Sequence, residues 1–153
     1  MTTGPRVSIL VVTYEHAGEI DACLDAALAQ QDADLAVEVI VADNASSDGT
    51  RERVRARAPA VRLLAMGANR GFAAAMNAAF AASSGELVLI LNPDCVMDPG
   101  CVAALRDRLA ARPDVAVAAA LLRNPDGSPQ LFARRDVDLG VALWAFTATG
   151  RCI

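Results

Sequence analysis

Short apolar runs rich in valine, isoleucine and leucine alternate along this chain with segments whose apolar residues recur at helical spacing, and that alternation leaves few folds open. Residues 7–12 read Val-Ser-Ile-Leu-Val-Val, the pattern of a strand buried on both faces of a parallel sheet. Ile20, Cys23, Leu24, Ala27 and Leu28 then fall on one face of a helix over 19–29. The unit recurs as a second strand at 37–42, a charged helix at 50–58 stopped by Pro59, and a third strand at 61–65. Phe72, Ala75, Met76, Ala79 and Phe80 repeat the helical spacing, and Ser83-Ser84-Gly85 closes that helix before a fourth strand at 86–91. Asp98-Pro99 reads as an N-cap with proline at the first helical position. It opens a helix that buries Val102, Leu105 and Leu109 and ends before Pro113, and a fifth strand follows at 115–122. Asn124-Pro125-Asp126-Gly127 is a turn, and 139–148 reads as one short apolar helix. The expected class is α/β, with an open, mostly parallel, Rossmann-like sheet flanked by helices. It forms a single domain over 1–153, with its core at 6–123 and a connection and short C-terminal helix at 124–153.

The 153 residues suit one domain of ordinary size. Apolar residues make up 54% of the chain but aromatic ones only 4%, so the core is built from small side chains that let helices lie close on the sheet. A net charge of -4 provides no electrostatic footprint for nucleic acid or an anionic membrane surface. Cys23, Cys95, Cys101 and Cys152 form no CxxC pair and no signal peptide is evident. They read as free thiols, serving as small apolar residues in a reducing compartment. No apolar run reaches the roughly 20 residues that span a bilayer, so the expected location is the cytoplasm, with any membrane contact peripheral at its inner face.

Ligands of open parallel sheets bind beyond the carboxyl ends of the strands, which makes the residues after each run the ones to inspect. The first run ends in Thr13-Tyr14-Glu15-His16, the second in Asp43-Asn44-Ala45-Ser46-Ser47-Asp48-Gly49, and the fourth in Asn92-Pro93-Asp94. Asp43 leaves its strand where a carboxylate accepts from a base or ribose hydroxyl. The loop at 44–49 either brings backbone amides to a ligand or simply caps the next helix through Ser47 or Asp48. Asp94, on a loop stiffened by Pro93, is placed to hold one hard cation such as Mg2+ or Mn2+, or to serve as a turn residue. Asn69-Arg70-Gly71 precedes a helix, so Arg70 and the helix amides together suit a phosphate; the alternative is a turn with a solvated arginine. His16 is the only histidine, and it reads as a surface loop residue because no partner for it is fixed by the sequence.

The segments "VSILVVTYE", "VIVADNASSDGT", "NRGFAAAMNAAF" and "LVLILNPD" resemble, in order and spacing, those of family-2 glycosyltransferases of GT-A fold, particularly the rhamnosyltransferase-like branch with Asn-Pro-Asp in place of Asp-x-Asp. The resemblance covers about residues 6–135, including "NPDGSPQLFARR". It implies a sugar transferred with inversion from a nucleoside diphosphate, dTDP-rhamnose-like or a UDP-sugar, to a glycan or lipid-linked acceptor. On the resembling positions, Thr13, Tyr14, Glu15, Asp43, Asn69, Arg70, Gly71 and Asn92 are the nucleotide-sugar residues. Asp94 is the ligand of Mg2+ or Mn2+, and a carboxylate base deprotonates the acceptor.

The chain departs from that branch in three places. Glu15 stands where asparagine follows the Thr-Tyr pair, and Ala75-Met76 stands where Gly-Asn is usual. Family members also continue beyond residue 153, into the acceptor half and its base. Asp136, in Arg135-Asp136-Val137-Asp138-Leu139, is the candidate base within this chain, against the alternative that Asp136 and Asp138 are solvated carboxylates of the connection after the fifth strand, and the expectation is a GT-A fold truncated before its acceptor half. Leu143, Trp144 and Phe146 are then the expected uncovered apolar patch. Three readings stand: a transferase, alone or with a homo-oligomeric or second chain; a nucleotide-sugar-binding fragment that lacks the base and acceptor site; and an unrelated α/β domain whose strand-end residues are turns and caps.

Overall fold

A computed structural model describes residues 6–130. The alternation read from the sequence appears there as β1 (Arg6–Thr13), α1 (Ile20–Leu28), β2 (Ala36–Asp43), α2 (Thr50–Arg55), β3 (Val61–Ala65), α3 (Phe72–Ala82), β4 (Leu87–Leu91) and α4 (Cys101–Ala110). The chain divides into two compact units, Met1–Ala118 and Ala119–Ile153, and all eight elements lie in the first. The strands pair in the order β3-β2-β1-β4, every pair parallel, so the expected α/β class with a parallel sheet between helices holds.

β1 shows why its sequence is almost continuously apolar. Val7, Ile9 and Val11 join Ile20, Cys23, Leu24 and Ala27 of α1, Val54 of α2 and Val102 of α4 in one core. Leu10 and Val12 point the other way, joining Ile40 and Ala42 of β2 under Ala75, Met76 and Ala79 of α3. A strand covered on both faces has no polar side to show. Ala75 and Ala79 present only methyl groups, which lets α3 settle close to the sheet.

The amino-terminal edge of the sheet is pinned through Ser8, a buried hydroxyl in an otherwise apolar strand. It donates to the Glu38 carboxylate and accepts the Gly85 N–H at 2.8 Å. A Cβ on Gly85 would lie 2.4 Å from Ser8 Oγ and 2.6 Å from Ser8 N, so the turn into β4 closes only on glycine. Burial of Glu38 favours its neutral form, but hydrogen bonds from Ser8 and Ser84 outweigh that and hold the carboxyl below the usual glutamate range.

Four expectations are corrected. Residues 115–122 form no strand. Half of that stretch is alanine, which favours strands little, and Val117 and Leu121 are 81% and 60% exposed, so no sheet face holds them. α2 stops at Arg55 rather than running to 58. Arg57 and Ala58 donate to carbonyls three residues back, Val54 O and Arg55 O, a tightened turn before a proline that disfavours helix in the residue preceding it. α4 begins at Cys101, not at an Asp98 cap, because Gly100 sits at φ 77° and breaks helical geometry between them. Of its three expected core residues only Val102 is fully buried; Leu105 and Leu109 are half-buried.

In the second unit the turn at 124–127 forms as expected. Gly127 N–H donates to Asn124 O at 2.8 Å, and Arg123 bridges Pro129 antiparallel. The expected helix at 139–148, with Asp136, Leu143, Trp144, Phe146 and Cys152, lies outside the described residues.

Candidate functional site

From β1 the chain winds outward through β2 to β3, with α1 and α2 on one face. It then returns by α3 over the other face to β4, which lies beside β1. Connections that leave neighbouring strands in opposite directions open a crevice at their carboxyl ends. A cleft of roughly 350 Å³ occupies that place. β1 and its loop contribute Thr13, Tyr14 and His16; β2 contributes Asn44. The loop into α3 adds Asn69 and Phe72, and the loop after β4 adds Asn92, Pro93 and Asp94.

The first two loops are strapped together over a separation of about thirty residues. Glu15 N–H donates to Ser46 Oγ at 3.0 Å, His16 N–H to Thr50 Oγ1 at 2.9 Å, and Ala17 N–H to Asp48 Oδ2 at 2.9 Å. In return the Glu15 carboxylate accepts from Ser47 N–H at 2.8 Å and Ser47 Oγ at 3.1 Å. Glu15 has φ 59°, left-handed backbone that asparagine tolerates better than glutamate; here the Ser46 and Ser47 contacts hold it. Asp48 accepts from the Thr50 hydroxyl and from the amides of Ala17 and Thr50, which hold its pKa down to about 2. The helix-cap alternative for this loop is therefore met in a modified form. Gly49 occupies the N-cap position without a side-chain bond, while Asp48 accepts the Thr50 N–H at 3.0 Å.

Asn44 ties the third segment in, accepting Arg70 N–H at 3.3 Å and donating to Gly71 O at 3.3 Å. Asn69 Oδ1 accepts Gly71 N–H at 3.0 Å just before α3. Asp43 is fully buried beside Thr13 in the β1–β2 register. Its Oδ2 accepts from Ser46 N–H and Arg51 Nε, each at 3.2 Å, while its Oδ1 is buried without a hydrogen-bond partner among the described residues. Asp94 is exposed at the cleft, and its Oδ1 accepts from the Cys95 thiol at 3.7 Å. Behind it the Cys23 thiol donates to Asn92 O at 3.5 Å. Burial, with smaller contributions from Cys95 and Asp94, pushes this thiol up to about 12, so it stays protonated and inert. Cys23, Cys95 and Cys101 are free, as expected.

Of the residues singled out from the sequence, Thr13, Tyr14, Asn69, Asn92 and Asp94 meet on this cleft. Asp43, Glu15, Arg70 and Gly71 do not line it: Asp43 is buried next to the cleft residues Thr13 and Asn44, and Glu15 turns its carboxylate to the strap. Arg70 is exposed and makes no ion pair among the described residues. Phe72, expected on the apolar face of its helix, is exposed and lines the cleft instead, as does His16, expected as a surface loop residue, while Arg51 is not singled out by the sequence. Arg51 carried a usable signal: a cation in the first turn of a helix opposes the helix dipole, so some anion nearby must hold it, and that anion is Asp43. No described helix is long and apolar enough to cross a membrane.

The family model described as Glycosyl transferase family 2 matches residues 8–146. Over 111 residues the chain is 38% identical to the N-acetylglucosaminyl-diphospho-decaprenol L-rhamnosyltransferase of Mycobacterium tuberculosis, covering 65% of this chain and 36% of that protein. Over 123 residues it is 37% identical to the succinoglycan biosynthesis protein ExoO of Rhizobium meliloti, covering 80% of this chain and 34% of that one. Among solved structures, the mannosyltransferase PcManGT from Pyrobaculum calidifontis, in complex with GDP-Man and Mn2+, superposes with a TM-score of 0.64 at 35% identity, covering 71% of this chain and 33% of that one. The chain thus spans about a third of the length of each of these proteins.

Proposed function

The chain belongs to glycosyl transferase family 2, and from that premise we propose that its cleft binds a nucleoside-diphosphate sugar, as the donor-binding part of a glycosyl-transfer site. The observation that carries this reading is the convergence of Thr13, Tyr14, Asn69, Asn92 and Asp94 on one cleft at the carboxyl ends of parallel strands. Tyr14 and Phe72 line the cleft while 47% and 54% exposed, and such ring faces stack on a base. Asp43 Oδ1, without a partner among the described residues, is an acceptor for a base N–H or ribose hydroxyl, because a buried carboxylate oxygen left without a donor costs free energy. Asn92 takes a ribose or sugar hydroxyl. Arg70, with the amides entering α3, offsets phosphate charge.

Asp94 suits a hard cation. Among the described residues no three His, Cys, Asp or Glu side chains gather into a metal cage. Mg2+ and Mn2+ need none, since one or two carboxylates suffice when phosphate oxygens and water complete the shell. Asp94 would hold such an ion, which would supply charge stabilisation for the departing nucleoside diphosphate. Direct displacement at the anomeric carbon then inverts its configuration, provided a base deprotonates the acceptor hydroxyl.

A second reading, donor binding without transfer, is favoured by one observation: among the described residues Asp94 is the only carboxylate lining the cleft, and a metal held there would claim it. Asp136, proposed as the base, falls outside the described residues. The motif resemblance suggests dTDP-rhamnose or a UDP-sugar as donor, and the mannosyltransferase bound to GDP-Man adds a GDP-sugar to the candidates. The acceptor in this reading is a glycan or lipid-linked sugar, in keeping with the diphospho-decaprenol acceptor that the rhamnosyltransferase's name carries, and the protein works on the cytoplasmic side of the membrane, alone, as a homo-oligomer or with a second chain.

Calorimetry with UDP, dTDP and GDP, each with Mn2+ and then with EDTA, tests the proposal on the chain and on Asp94→Ala. Metal-dependent binding of at least one nucleotide, weakened at least tenfold or so in the variant, is the expected result. No binding of any nucleotide refutes it, and transfer assays on a binding-competent chain then separate the two readings.

A further inference from the structure

We propose that His16 contacts the donor directly: its Nε2–H donates to an oxygen of the bound nucleotide. The inference rests on the reading of the cleft as a nucleotide site and adds a residue to it. His16 lines the cleft and is half-buried. Its backbone is fixed at both ends, the N–H donating to Thr50 Oγ1 at 2.9 Å and the carbonyl accepting from Glu19 N–H at 3.2 Å and Ile20 N–H at 3.0 Å. The ring is fixed as well. Nδ1 accepts the Tyr14 N–H at 3.3 Å and lies 3.4 Å from Thr13 Oγ1.

That contact decides the tautomer. A ring nitrogen that accepts from a backbone N–H carries no proton, so in the neutral imidazole the proton sits on Nε2. No described protein group accepts from Nε2. His16 therefore brings to the cleft one donor whose protein-side valences are spent on orientation, held by straps that exist before any ligand arrives. Donors held in place in this way gain affinity because little ordering remains to be done on binding. The cleft also holds Asp94 and two exposed aromatic rings, so the acceptor oxygen belongs to the phosphates or the ribose.

Two isosteres separate the ring nitrogens. His16→Asn keeps an acceptor where Nδ1 stands and removes the donor; His16→Gln reaches the Nε2 position and removes the acceptor. Calorimetry uses whichever of UDP, dTDP and GDP binds the unaltered chain best, with Mn2+, together with its monophosphate and nucleoside. Far-UV circular dichroism checks that each variant is folded. The expected result is binding weakened about tenfold in His16→Asn, the size of one hydrogen bond to a charged or polar ligand group, and restored to within about threefold in His16→Gln. A loss confined to the diphosphate places the acceptor on phosphate; an equal loss with the nucleoside places it on ribose. If Asn binds as well as the unaltered chain, or better than Gln, the ring acts only through Nδ1 and the proposal is overturned. If the unaltered chain binds no nucleotide, the reading of the cleft itself falls.

Discussion

Asp48 shows how a single carboxylate can hold two loops of the site in register. Its hydrogen bonds from Thr50 Oγ1, Ala17 N–H and Thr50 N–H hold its pKa at about 2 in the folded protein, against about 3.9 for aspartate in an unfolded chain. A depressed carboxylate stabilises the fold fully above its unfolded pKa and loses that contribution as pH falls through its folded one. Thermal melts of the chain and of Asp48→Asn should therefore differ by a constant amount from pH 7 down to about 5, and converge between about pH 4 and 2. A gap that persists unchanged near pH 2 would show that the strap does not depend on the charge. At this scale the strand-end rule made much of the cleft legible: Thr13, Tyr14, Asn92 and Asp94 each follow a β-branched or leucine-rich run. His16 was not legible, because its partners are a backbone N–H and a hydroxyl that the left-handed turn at Glu15 brings round to the ring. Nor was the Glu15–Ser47 contact, which joins residues 32 apart through an unusual φ.

Elements were read well where one periodicity ran unopposed and less well at their ends. β3 at 61–65 and the apolar face of α1 follow directly from pattern. The start of α4 does not, since its cap comes from a residue far away in sequence. Gln30, just past the end of α1, is 4% exposed, and its Oε1 accepts Val102 N–H at 3.1 Å while Nε2 donates to Asp98 O at 3.1 Å and Ala26 O at 3.2 Å. A local Asp98 cap was the natural reading, and Gly100 prevented it by turning the chain before the helix began. Gln30→Ala leaves the buried Val102 N–H unsatisfied and should cost about 1–3 kcal/mol, read as a lower urea midpoint at an unchanged m-value. An unchanged midpoint would mean that water or another group replaces the cap without loss. The absent strand at 115–122 has the opposite origin: hydropathy alone proposed it, but its alanines bring neither β-branching nor bulk to a sheet.

For the molecule as a whole, the site exists only as a product of the topology. Its walls come from residues 12–14 and 16, 44, 69 and 72, and 92–94, stretches with no proximity in the unfolded chain, which meet because β4 inserts beside β1 after the excursion to β3. A ligand that needs all four stretches binds the folded state alone, so its binding must appear as stability. At a free nucleotide concentration about 100 times its dissociation constant, the linkage amounts to about 2.7 kcal/mol, seen as a rise in melting temperature with nucleotide and Mn2+ together. EDTA should abolish most of the rise, and Asp94→Ala should show little of it at the same concentrations. Asp48→Asn, compared at pH 7, should keep a metal-dependent rise of reduced size, because it loosens one wall and leaves the Asp94 loop untouched. A rise of equal size in the chain and in Asp94→Ala would place the binding away from the carboxyl end of β4, and the sheet's crossing point would then be scaffolding rather than the site.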